Sequence, residues 1–139
     1  MEKKIKIVMR KTGRKVTDVE EVDGKINYKG VDEIIPIVLI PKDIVYSEIK
    51  KILVFNIKKI EGDNFKYYLL GFLWSQLGEE GLPYYHKVFK SYPDYDKDKI
   101  TKEYKNTRLL MSSHISAQFI RNLNIEVARV MQNLKKIVL

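Results

Sequence analysis

The spacing of apolar residues changes once along this 139-residue chain, at Pro41, and that change limits the architectures open to it. From Lys4 to Ile40 the period is close to two, as a strand with one buried face requires. Ile5, Ile7 and Met9 alternate with polar residues, Thr12-Gly13 offers a turn, and Val16, Val19 and Val22 lead to Asp23-Gly24. Asp-Gly favours the tight turn of a hairpin, because both positions tolerate positive φ. Lys25 to Tyr28 is predicted to return as the partner strand, with a break at Gly30 and a further strand over Glu33 to Ile40. Pro36 has no N–H to give a ladder, which places that strand at a sheet edge. The expectation is a small antiparallel sheet of three or four short strands.

After Pro41 the period is about 3.6. Asp43 is a candidate N-cap, and Ile44, Val45, Ile49, Ile52, Leu53, Asn56 and Ile60 share one face of a helix predicted to stop near Gly62. Asp63 is the candidate cap of a second helix, with Phe65, Leu69, Phe72, Leu73 and Leu77 inward and Gly78 as its terminating glycine. Gly71 inside it points to a close approach. The two are expected to pair as an antiparallel hairpin. A short helix is predicted from Pro83 to about Lys90, then a loop, then helix from about Lys97 onwards. The fold class expected is α+β, mainly helical, with four or five helices after the sheet. Residues 1–139 are read as one compact unit, a small β subdomain over 1–40 and a helical part over 41–139.

The content of 45% hydrophobic and 32% charged residues fits a globular chain with a core and argues against disorder. No cysteine is present, which excludes disulfides, thiolate metal sites and cysteine nucleophiles. The longest apolar runs, IIPIVLIP and YYLLGFLW, fall far short of the roughly 20 residues of a membrane-spanning helix. No signal-peptide pattern follows the basic start, so no membrane association and a cytoplasmic location are expected. Abundant Lys, Ile, Glu and Tyr with scarce Gln suggest a thermophilic, archaeal character.

The net charge of +8 is unevenly spread. Residues 1–15 hold Lys3, Lys4, Lys6, Arg10, Lys11, Arg14 and Lys15 against Glu2, a net of +6. Residues 16–35 reverse the sign, with six acids against Lys25 and Lys29, a net of −4. Residues 100–139 carry seven basic residues against Glu103 and Glu126, a net of +5. Two basic ends flanking an acidic segment make nucleic acid one natural partner class and solvated lysine-rich faces the alternative.

Residues 115–137 allow two readings. In one, Ile115, Phe119, Leu123, Val127, Val130, Leu134 and Ile137 form the buried stripe of one long helix, continuing a stripe from Ile100, Tyr104 and Met111. In the other the helix breaks at Leu123-Asn124-Ile125. Over about residues 105–138 the chain then resembles the helix-turn-helix of small transcription regulators, including the winged-helix type. Phe119 matches the first apolar position, Leu123 and Ile125 flank the turn, and Val130 takes the apolar position of the recognition helix. Ile120 stands where that pattern has a small residue, and Asn124 where it has Gly; Asn tolerates the left-handed conformation. The resemblance implies a DNA-binding transcription regulator with its second helix in the major groove of duplex DNA. Val127, Ala128, Met131, Gln132 and Lys135 would then lie near base edges, with Arg121, Arg129 and Lys136 at phosphates and the basic residues of 1–15 assisting.

No other catalytic or cofactor motif stands out. His86 and His114 have no metal-site spacing, and neither a phosphate-binding glycine loop nor a GxSxG motif is present. Asp94, Asp96 and Asp98 alternate with lysines and read as charge complements of a helix start rather than a cation site. Tyr84, Tyr85, Phe89 and Tyr92 interleave with bases and read as packing or a protein interface. No metal, no cofactor and no enzymatic activity are expected. The alternative to a DNA-binding regulator is a structural or assembly subunit, or an inhibitor binding a host machine such as RNA polymerase, in an archaeal virus or mobile element. Such a chain would have a protein partner or form a homo-oligomer, in the host cytoplasm or the virion.

Overall fold

The structure, a computed structural model, describes residues 5–60 and 64–138. A β-hairpin, β1 (Lys6–Val22) and β2 (Lys25–Leu39), precedes α1 (Lys42–Val54) and α2 (Phe65–Leu77). A 3-10 turn (Gly78–Gly81) then leads into α3 (Leu82–Phe89), α4 (Lys97–Thr107) and α5 (Ser113–Val138). The fold is α+β and mainly helical, as expected. Among the described residues, no helix is long and apolar enough to cross a membrane.

Two long antiparallel strands replace the three or four short ones. Asp23 and Gly24 form the connecting turn, both at positive φ (53° and 73°) as a tight hairpin demands. Thr12-Gly13 does not reverse the chain. It lies in an irregularity between the pairs Lys11↔Ile34 and Lys15↔Asp32, where three residues of β1 face Glu33 alone. Gly13 takes φ 82°, and the Thr12 hydroxyl accepts from Arg14 N (3.1 Å) and donates to Glu33 Oε2 (3.3 Å), so the extra residues are absorbed sideways. Gly30 stays in β2, opposite Thr17.

α2 is the central element. Its residues 69–77 are all buried, because β2, α3 and α5 pack around it. Ring packing joins it to its neighbours: Phe72 meets Phe119 of α5 (5.1 Å between centroids), and Trp74 stacks on Tyr104 of α4 (4.6 Å). The Trp74 indole donates to the Tyr104 carbonyl, and the Tyr104 hydroxyl donates to the Gly78 carbonyl at the end of α2. A Cβ at Gly81 would stand 2.2 Å from that hydroxyl. Close approach at Gly71 is also real, but the neighbour is the Met111 side chain rather than a second helix.

Several helix ends differ from the sequence reading. Pro41, not Asp43, takes the N-cap position of α1, its carbonyl accepting from Ile44 N (3.0 Å) and Val45 N (3.2 Å). α1 ends at Val54, well before Gly62, and Asn56 is not on its inner face. Asn56 takes a left-handed φ of 51°, and Ile57 N donates back to Ile52 O (3.0 Å). This is a Schellman termination with asparagine in the place of glycine, closed by buried Ile52 and Ile57. α1 consequently packs on α3 and α5 and does not form the expected hairpin with α2. Asp63, the expected cap of α2, lies outside the described residues. Asp96 caps α4, its side chain accepting from Asp98 N and Lys99 N. α4 ends at Arg108, which is left-handed (φ 37°), and α5 starts at Ser113.

Candidate interaction surfaces

The root of the ribbon is apolar on both sides. Register pairs place Lys6, Val8, Arg10, Ile35, Ile37 and Leu39 on one face, and Ile7, Met9, Lys11, Ile34, Pro36 and Val38 on the other. The first face lies on the helical body: Ile37 is buried, and Arg10 donates to the Ser75 (3.5 Å) and Gln76 (3.4 Å) carbonyls at the C-terminal end of α2. Gln76 also holds the free edge of β2, accepting from Ile40 N (2.7 Å) and donating to Val38 O (3.3 Å). The second face has no cover among the described residues. Ile7 is 59% exposed, Met9 61% and Ile34 50%. A sheet bearing apolar residues on both faces normally lies between two layers, and the described residues supply one.

Beyond the irregularity the ribbon leaves the body. Its described side chains over 15–31 are exposed, and the distal part, about eight residues per strand, extends roughly 25 Å. Most of the acidic segment lies on this arm: Glu20, Glu21, Asp23 and Asp32 lie along it with Lys15 and Lys25, beside exposed Val16, Val19, Val22 and Ile26.

α5 runs unbroken through Leu123-Asn124-Ile125, so the turn on which the helix-turn-helix resemblance depends is absent. Asn124 instead joins α5 to α1. Its Nδ2 donates to Glu48 Oε2 (3.2 Å) and to Ile120 O (2.9 Å), while its Oδ1 accepts from Lys51 Nζ (2.8 Å). Lys51 also pairs with Glu48 at 3.0 Å, so the buried Glu48 carboxylate is satisfied by two partners. Ile120, one turn before Asn124, is half-buried against the core. The buried side of α5 is Ser116, Phe119, Leu123 and Val127, whereas Ile115 is exposed. Beyond Val130 the stripe passes off the body: Leu134 is 50% exposed and Ile137 80%. This overhang of about eight residues is roughly 12 Å long.

The described nucleic-acid residues assigned from sequence divide into three groups. Val127, 7% exposed, belongs to the core and is not available to a base edge. Arg10 is committed to the end of α2, and Arg129 is held by Glu126 (Nε to Oε2, 3.1 Å), which raises its already high pKa. Arg121, Ala128, Met131, Gln132, Lys135 and Lys136 are exposed on α5, and Lys11, Arg14 and Lys15 on the ribbon. Lys3 and Lys4 lie outside the described residues. On α5, His114, Gln118, Arg121, Ile125, Ala128, Gln132 and Lys135 follow one another at steps of three or four, forming an exposed face with no acid in it.

The aromatic segment is mostly interior. Tyr85, 0% exposed, and Phe89 are core residues, which removes them from an interface; Tyr84 and Tyr92 are half-buried. Burial in the core, the hydrogen bond to Glu103 and its negative charge push the Tyr85 hydroxyl well above the ordinary tyrosine range. His86 Nδ1 is 2.9 Å from the Tyr95 hydroxyl and its Nε2 is 2.8 Å from Thr101 Oγ1. Desolvation, and secondarily the Lys97 charge, lowers its pKa. This chain joins α3 to α4, and the adjoining cleft of about 390 Å³ is lined by Tyr95 but not by His86 or Thr101. In that cleft Lys58 faces the Tyr92 ring (5.0 Å) and Lys66 pairs with Glu103 (2.9 Å). Asp96 spends its carboxylate on the α4 cap, and among the described residues no three potential ligands converge on a metal position.

Sequence periodicity marks both exposed surfaces as apolar, but it gives no sign that they lack a cover. No known protein family matches the chain, and neither a characterised protein nor a solved structure resembles it significantly.

Proposed function

We propose that this chain is a non-enzymatic assembly protein that docks on another protein surface through the outer face of the ribbon root. The supporting observation is that Ile7, Met9, Ile34, Pro36 and Val38 form one apolar sheet face lying outside the body. Covering it removes apolar area from water at roughly 25 cal/mol per Å². Met9→Glu with Ile34→Glu is expected to abolish association, measured by sedimentation velocity and cross-linking, while helical circular dichroism stays unchanged. Retention of full association by the double variant would refute the docking reading. The cytoplasm, or the virion of an archaeal virus, is the compartment this reading favours.

Duplex binding by α5 is the second reading, supported by the acid-free exposed face bearing Arg121, Gln132 and Lys135. A straight helix with such a face fits a major groove without a turn, using Gln132 toward adenine and the cations toward phosphates. Titration of a fluorescent random-sequence duplex against salt tests it. Arg121→Ala, Lys135→Ala and Lys136→Ala are each expected to reduce the salt slope by about one. An unchanged slope in the triple variant would remove the reading.

A further inference from the structure

The geometry points to a second copy of this chain as the docking partner, with the acidic arm of one copy lying along the basic, overhanging end of α5 of the other. The inference rests on the docking reading above and names its partner and contacts.

The charges are complementary. The arm, residues 15–32, carries Asp18, Glu20, Glu21, Asp23 and Asp32 against Lys15, Lys25 and Lys29, a net of −2, and residues 113–138 carry Arg121, Arg129, Lys135 and Lys136 against Glu126, a net of +3. Both elements present apolar side chains between the charges. On the arm these are Val19 and Ile26, and on the overhang Leu134 and Ile137, all exposed. The α5 stripe continues a surface that is buried nearer the body at Val127, and by strand alternation the arm stripe lies on the same side of the ribbon as the exposed Ile34, Pro36 and Val38.

Stability gives an independent reason for a partner. An isolated two-stranded ribbon is marginally stable in water, and among the described residues no third strand or helix lies beside the distal arm. Its free edges and apolar residues would be covered by a helix laid across it. If each copy gives an arm and receives one, the contact is reciprocal and closes as a two-fold dimer. The outer faces of the ribbon roots would then lie within the same interface. Like charges would repel if arm met arm, so the charge distribution selects arm against helix.

Sedimentation velocity on the full chain over a range of protein and salt concentrations tests the inference. Association to twice the monomer mass is expected, weakening as salt rises. Glu20→Lys with Glu21→Lys should weaken it about tenfold, and Lys135→Glu with Lys136→Glu should do the same. Combining all four substitutions restores complementarity with signs reversed and should restore the dimer. These side chains are exposed, and circular dichroism checks that each variant is folded. Association indifferent to both pairs, or four substitutions without restoration, overturns the arm-to-helix contact.

A monomeric wild type at every concentration overturns self-association altogether. Binding of bis-ANS by that monomer, lost in Met9→Glu with Ile34→Glu, would leave the docking reading standing with a different partner. A monomer that binds no dye would remove both.

Discussion

Asn124 is the residue at which the two readings of the C-terminal segment part. Its left-handed tolerance makes it a credible turn residue in sequence, yet in the structure it is helical and its amide satisfies Glu48 and Lys51 on α1. A turn would welcome glycine, whereas in a continuous helix it is worse than asparagine by about 0.3–0.5 kcal/mol. Asn124→Gly is therefore expected to destabilise the protein by that amount plus roughly 1–2 kcal/mol for the buried Glu48 Oε2 left without its partner. Chemical denaturation measures it, and a neutral outcome would reinstate the turn. At His86 the consequence is a pH dependence. Desolvation lowers the folded-state pKa below 6.5, so the unfolded chain binds the proton more tightly. The stability contributed by neutral His86 is complete above that value and is lost as pH falls below it. Thermal melts from pH 7.5 to 5 should show a falling Tm, with a shallower fall in His86→Gln.

Among the elements, the strands depart furthest from what their sequence suggests. Thr12-Gly13 and Gly30 carry turn signals, and Asp23-Gly24 carries a stronger one. Only the last reverses the chain, because cross-strand pairing on either side of Gly13 absorbs the extra residues. Nothing in the local sequence reports that pairing. The arm beyond the irregularity makes no contribution to the helical core, so joining Arg14 to Glu33 through a two-residue Asn-Gly turn should leave the Tm of the body within a few degrees. A collapse of the helical signal would mean that the arm packs on its own chain. The end of α1 is legible only in hindsight: Asn56 reads as a half-turn continuation of an apolar face, and its left-handed conformation is set by burial of Ile57 behind Ile52. Asn56→Gly should preserve or slightly raise stability in urea, whereas Asn56→Val should lower it by about 1–2 kcal/mol.

For the whole molecule, one hydrophobic cluster around α2 joins the helices. Burial raises the hydroxyl pKa of Tyr85 and of Tyr104 far above 10, so ionising either requires opening the core. A raised folded-state value means that stability is complete below pH 10 and declines above it, where the unfolded chain sheds these protons first. Absorbance titration should find these two of the nine tyrosines ionising only in step with loss of far-UV signal. Ionisation of all nine in a folded protein would contradict the core as described. Periodicity and turn chemistry determined, from the sequence by itself, that a β segment precedes helices, that Asp23-Gly24 reverses the chain, that Gly78 closes α2 and that acids precede α4. These are local preferences of backbone and side chain, expressed within a few residues. Tertiary structure alone decided that the strands form one long ribbon, that α1 stops at Val54, that Tyr85 and Val127 are interior, and that the outer ribbon face and the end of α5 lie uncovered. Each of those depends on which distant surface arrives to cover a residue, and an apolar stripe reads the same in sequence whether its partner is in the same chain or in another.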